Sequence, residues 1–180
     1  MLEAGKDRGS PLRDQLASWL FPIDPEDVRR LVDPNRPLGR DALGELLVDR
    51  LSRKSAMIGA ATSLPGGALA PVLLGVDARG SWGAVATLAA ACHYYDDPSF
   101  FDRRDWWRQS LRTAIGAEGD SPLHMGSRAV PKVALERGVR WGARRLLAKV
   151  IPFAGTAVGA GWNYAWVRRE GARIFGSDPR

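Results

Sequence analysis

Between Lys149 and Arg168 the chain runs eighteen residues, VIPFAGTAVGAGWNYAWV, without a charge. Few folds can absorb such a segment. As a helix it covers about 27 Å at about 1.5 Å per residue, just short of a hydrocarbon core of about 30 Å. Its composition resists insertion, because Pro152, Gly155, Gly159, Gly161 and Asn163 leave few strongly apolar residues. A phosphate loop is disfavoured on chemistry: Gly161 is followed by Trp162-Asn163-Tyr164 instead of Lys-Ser/Thr, and no strand pattern precedes it. What remains is a packed helix whose Gly155, Gly159 and Gly161 form a low surface on which a neighbouring helix backbone can seat closely.

Upstream segments have the same character. SAMIGAATSLPGGALAPVLLGV carries no charge until Asp77, and GSWGAVATLAAACHYY carries none between Arg79 and Asp96. Pro65, Gly66, Gly67 and Pro71 predict two helical pieces around a tight turn in the first. Val85, Leu88 and Ala89 predict a further helix up to His93, broken by DDPSFFD. Toward the N-terminus, Asp24 suits an N-cap, Pro25 a first helical position, and Glu26 and Asp27 the positive end of the dipole. This short helix stops near Val32. Leu43, Leu46, Leu47 and Leu51 then mark an amphipathic helix from about Arg40. A charged helix beginning near Asp102, and two more over about 132–149 and 153–174, complete the reading. Alternating strand patterns of useful length are absent, so the expected fold is all-α, a compact multi-helix bundle with small-residue apolar helices and a Pro-Gly-Gly turn. The expected division is an N-terminal arm with a short helix over 1–37, a helical domain over 38–176 and a tail over 177–180.

Charge points to polyanions. With 26 Lys and Arg against 20 Asp and Glu, the formal net charge is +6 and the pI about 10.1, which suits nucleic acid or an anionic membrane leaflet. No nucleic-acid recognition motif occurs, so that class is disfavoured. Over 135–150, Leu135, Val139, Ala143, Leu146 and Val150 share a helical face, while Arg137, Arg140, Arg144 and Arg145 lie mostly opposite with Trp141 among them. Lys149 extends the basic side. Trp162 and Trp166 fall four apart, and with Trp141 suit the headgroup region as anchors. The same tryptophans equally suit a soluble core. A mean hydropathy of −0.21 argues against a polytopic membrane protein. The single Cys92 cannot form an internal disulfide, and MLEAGKDRGS has no apolar h-region, so a cytoplasmic setting is expected.

No catalytic or metal constellation is legible, and no cofactor is expected. Cys92 and His93 are adjacent and point apart on a helix. The other histidine, His124, has no templated partner, and HExxH, CxxC and GxSxG are all missing. Asp96, Asp97 and Asp102 read as turn and capping residues. Asp77 and Asn163 differ, since each lies in an apolar setting where an unpaired polar group would cost a few kcal/mol. Each needs a partner: an arginine for Asp77, and the backbone of a broken helix for Asn163.

From about Ile58 to Phe175 the chain resembles the EcsC protein family. The resemblance rests on GAATSLPGG (Gly59–Gly67), Asp77, an aromatic pair before Asp-Pro (Tyr94, Tyr95, Asp97, Pro98), a basic penultimate helix, and the terminal set Pro152, Gly155, Gly159, Asn163, Ala172 and Phe175. It departs at Tyr95, where a glycine often follows the tyrosine. The resemblance implies a bacterial helical protein linked to membrane processes, with a namesake beside transporter components and no established catalytic residues. The expectation is a non-enzymatic protein peripherally attached to an anionic membrane surface or a membrane-protein complex. The alternative is a protein-interaction or homo-oligomeric module.

Overall fold

Two short helices open the described chain. The computed structural model describes residues 11–62, 70–116, 136, 140 and 155–176. Helix α1 spans Pro11–Leu20 and α2 spans Pro25–Val32, the latter with proline at the position where its missing N–H costs nothing. Asp24 is extended, and its carboxylate accepts from the Glu26 N–H at 2.9 Å, as its sequence position predicts. Helix α1 was not foreseen in the arm. Its Ala17 and Leu20, with Phe21 and with Val28 and Val32 of α2, are buried, and the core runs without a break across residues 37 and 38.

Helix α3 spans Arg40–Thr62, and α4 runs Ala70–Asp96 as one 27-residue helix. The sequence predicts a break inside α4. Glycine costs a helix roughly 0.5–1 kcal/mol relative to alanine, but here close packing offsets that penalty. An added Cβ would lie 3.4 Å from Trp19 at Gly75, 2.8 Å from Ile58 at Gly80 and 3.1 Å from Pro22 at Gly83. The glycines let neighbouring side chains lie directly on α4. The expected Pro-Gly-Gly turn, Pro65 to Gly67, falls outside the described residues.

The C-terminus of α4 is closed by an arginine. Arg36, from a 3₁₀ segment over Asp33–Leu38, donates to the carbonyls of Tyr95 at 3.0 Å and Tyr94 at 3.2 Å, with its guanidinium over both rings. Such carbonyls lack intrahelical partners and favour a cation. Asp97 then shapes the turn, accepting from the Ser99 N–H at 2.9 Å and its hydroxyl at 2.7 Å. The charged helix starts later than Asp102, which sits in a 3₁₀ turn over Phe100–Asp102; α5 spans Trp106–Ala114. Helix α6 spans Gly155–Phe175, close to its expected bounds, and ends at Gly176 with φ 74°, the left-handed conformation that closes many helices. Arg173 of α6 donates to the Thr113 carbonyl at 2.8 Å and the Ala114 carbonyl at 3.3 Å, closing α5.

The described residues are all-α, with no strand among them. Helices α3 and α6 pack antiparallel: Gly44 meets Phe175, Val48 meets Gly171, and Gly59 meets Gly159. Helix α4 runs parallel to α6, with Trp82 beside Trp166 and Cys92 beside the Ile174 carbonyl. Among the described residues no helix is long and apolar enough to cross a membrane.

Candidate functional site

Asp77 and Asn163, the two polar residues singled out in apolar segments, meet each other. Both are 0% exposed. The Asn163 amide donates to Asp77 Oδ1 at 2.7 Å and to the Ser55 carbonyl at 3.0 Å. One amide thereby joins α3, α4 and α6. The orientation of the amide is fixed by chemistry, because its oxygen in the same place would face a carboxylate and a carbonyl. Ser55 and Ser81 add a second link, their hydroxyls 3.0 Å apart across α3 and α4. Each residue's need for a partner was legible in the sequence: Asn163 meets helix backbone as expected, at the Ser55 carbonyl of an unbroken α3, and its amide reaches Asp77 from a segment 86 positions away.

Small residues make the approach possible. A Cβ on Gly59 would lie 2.4 Å from Asn163 Nδ2 and 2.7 Å from the Gly159 carbonyl oxygen, so only glycine fits. Gly159 is buried at this seat. Gly155 begins α6. Gly161 is a correction: it is exposed, and a Cβ there would meet nothing within 4 Å. At about 100° per residue, two positions from Gly159 is slightly more than a half turn, which carries Gly161 to the opposite face.

The tryptophans divide similarly. Trp166 meets Trp82 edge-on with centroids 4.8 Å apart, and Trp82 also meets Phe21 at 5.2 Å. Trp166 is therefore packed against the core, whereas Trp162 is 57% exposed. At the same end of the bundle, where α3 ends and α4 and α6 begin, other large apolar side chains are also exposed: Met57 at 74%, Val72 at 62%, Val158 at 51% and Val76 at 48%. Sequence reasoning missed these four. Each is a single apolar residue on the outward face of a helix with apolar neighbours, and only the third dimension gathers them at one end.

The expected basic helix is described at two positions. Arg140 is exposed and pairs with Glu136 at 3.7 Å, an arrangement of little energetic weight at a surface. Arg137, Trp141, Arg144, Arg145 and Lys149 lie outside the described residues.

Cys92 and His93 point apart. Cys92 is buried, receives the Arg40 guanidinium at 3.2 Å, and has its thiol pushed up by burial against the opposing pull of Arg40; a thiol held protonated is a poor nucleophile. His93 bonds the Thr113 hydroxyl at 2.8 Å and stacks on Phe100 at 4.9 Å, its pKa pushed down by burial. Among the described residues no group of three or more His, Cys, Asp or Glu converges as metal ligands would. No protein-family model, curated protein or solved structure matches the chain.

Proposed function

We propose that this chain is a non-enzymatic, EcsC-like helical protein that attaches peripherally to an anionic membrane surface, or to a protein complex in that membrane, from the cytoplasmic side. The observation that carries the reading is the exposed apolar end. Met57, Val72, Val76, Val158 and Trp162 come from three helices, and large apolar groups exposed together mark interaction surfaces. Net positive charge supplies long-range attraction to anionic lipid, and shallow insertion of the apolar end supplies the short-range part. The polar knot of Asp77 and Asn163 lies just inside this end and holds the three helices in register beneath it.

Flotation of the full chain with vesicles tests this. Vesicles containing phosphatidylglycerol are expected to carry the protein upward, neutral phosphatidylcholine vesicles much less, and the variant Met57→Ser/Val158→Ser/Trp162→Ser at least tenfold less than the parent. Equal recovery with both vesicle types, no recovery with either, or an unaltered triple variant overturns the proposal. The same patch supports a second reading, a homo-oligomer joined through this end. It predicts a lipid-free dimer or larger species in light scattering that the triple variant returns to monomer.

A further inference from the structure

We infer that the groove between α1–α2 and the α3–α4 pair is a binding site for a single anionic amphiphile, an acyl chain bearing a carboxylate or phosphate headgroup. The groove has a volume of about 1000 Å³, at the top of the roughly 300–1,000 Å³ range of small-molecule pockets. Its floor is apolar, formed by residues such as Phe21, Leu51, Ile58 and Ala84. Glycines bring that floor together, since Gly80 lets Ile58 and Gly83 lets Pro22 lie flat on α4.

Its α3–α4 wall is cationic. Arg50, Lys54 and Arg79 line it and are exposed. None of the three has an ion-pair partner among the described residues, although Arg79 also rests over the Trp19 ring at 5.6 Å. Arg50 and Lys54 are one turn apart on α3, so they present charge along the same face. The opposite wall carries Asp24 and Asp27, but these are engaged: Asp24 caps α2, and Asp27 pairs with Arg30 at 3.6 Å. A polyanion tracking the groove would meet those carboxylates along its length. One headgroup held at the Arg50–Lys54–Arg79 edge, with its chain on the floor, does not. Charge complementarity thus selects an anionic lipid over nucleic acid, and an apolar floor selects it over free phosphate.

The groove borders the exposed apolar end at Val76, but it takes a dispersed amphiphile from water, so its occupancy is read without a membrane. Titration of the full chain with 11-(dansylamino)undecanoic acid in vesicle-free buffer reads it directly. Saturable one-to-one enhancement of dansyl emission is expected, reversed by laurate and by dodecyl phosphate at comparable concentration and not by dodecylamine or inorganic phosphate. Arg50→Gln/Lys54→Gln/Arg79→Gln, three exposed substitutions, is expected to weaken binding at least tenfold with unchanged circular dichroism. Arg168→Gln/Arg169→Gln on α6 is expected to leave it unchanged. Absence of saturable binding, displacement by dodecylamine as strong as by laurate, or equal binding by the triple variant overturns the inference. Flotation that fails while the dansyl probe binds would refute the membrane reading and leave this one standing.

Discussion

The two halves of the α3–α6 contact solve one packing problem with different chemistry. Toward the C-terminus of α6, Gly44 sits against Phe175 and Gly171 against Val48 and Leu88, so each small residue receives a large apolar one. Toward its N-terminus, Gly59 receives an amide and a backbone carbonyl, and the neighbouring buried positions are Ser52, Ser55 and Thr62. The first half is held by apolar burial and tolerates adjustment, because side chains can rotate. The second is held by hydrogen bonds of fixed direction. The difference explains why the polar half can specify register: sliding α6 by one turn past α3 would keep apolar contacts in the first half but strand Asp77 without its amide, a role well attested for single buried polar residues.

The largest expected effect comes from breaking that half at its centre. Asn163→Ala removes the amide shared by Asp77 and the Ser55 carbonyl, and taking this donor from two buried acceptors costs about 3 kcal/mol when one is a carboxyl group. Val167→Ala, one turn along on the same face and equally buried, loses two methyl groups, about 1.6 kcal/mol of transfer free energy plus a cavity contribution. Urea unfolding of both variants gives the comparison. The double variant Asp77→Ala/Asn163→Ala should cost less than the sum of its singles by about 1–2 kcal/mol, as expected for residues in contact. Strict additivity would mean the knot contributes nothing as a unit.

Two glycines sharpen the contrast. A Cβ at Gly59 meets Asn163 Nδ2 at 2.4 Å and backbone oxygen at 2.7 Å, whereas at Gly171 the nearest atoms are the side chains of Val48 at 2.5 Å and Leu88 at 3.0 Å. Overpacking costs about 1–3 kcal/mol, offset by about 0.5–1 kcal/mol of improved helix propensity. Gly59→Ala is therefore expected to lose about 2 kcal/mol net, since backbone cannot move aside, and Gly171→Ala about 1 kcal/mol. The midpoint of thermal unfolding should rank them in that order. The reverse order would show that the apolar half is the less adaptable of the two.

The same contrast governs how much was legible in the sequence. Helices α2, α3 and α6 announce themselves through Asp24-Pro25, the leucine spacing after Arg40 and the charge-free run before Arg168, because caps and periodicity are local. The need of Asp77 and Asn163 for partners was legible too, since burial can be inferred from neighbours. The identity of those partners was not, because pairing across 86 positions depends on how three helices cross. Arginines were the least legible. Arg36, Arg40 and Arg173 spend their charge closing helix ends and meeting Cys92, roles indistinguishable in sequence from a solvated basic surface. The continuity of α4 was hidden for the opposite reason: Asp77 and Arg79 divide two charge-free runs that read as separate helices, and only the fold shows Trp19, Ile58 and Pro22 resting on the glycines of one helix.

The smallest effect tests the boundary of the seat itself. Gly161 belongs by sequence to the same small-residue run as Gly155 and Gly159, yet a Cβ placed on it meets nothing within 4 Å. Gly161→Ala therefore has no contact to lose and removes the entropy that glycine forfeits in a helix, so a gain of about 0.5–1 kcal/mol is expected. The measurement is the urea midpoint at unchanged m-value, which separates a stability change from a change in the denatured chain. A loss instead of a gain would place an unseen neighbour on the outer face of α6, and the low surface would then extend around the helix instead of along one side. A gain confines it to the face that carries Gly159 and Asn163, where glycine is required by the backbone of α3 and not by any general preference for small residues.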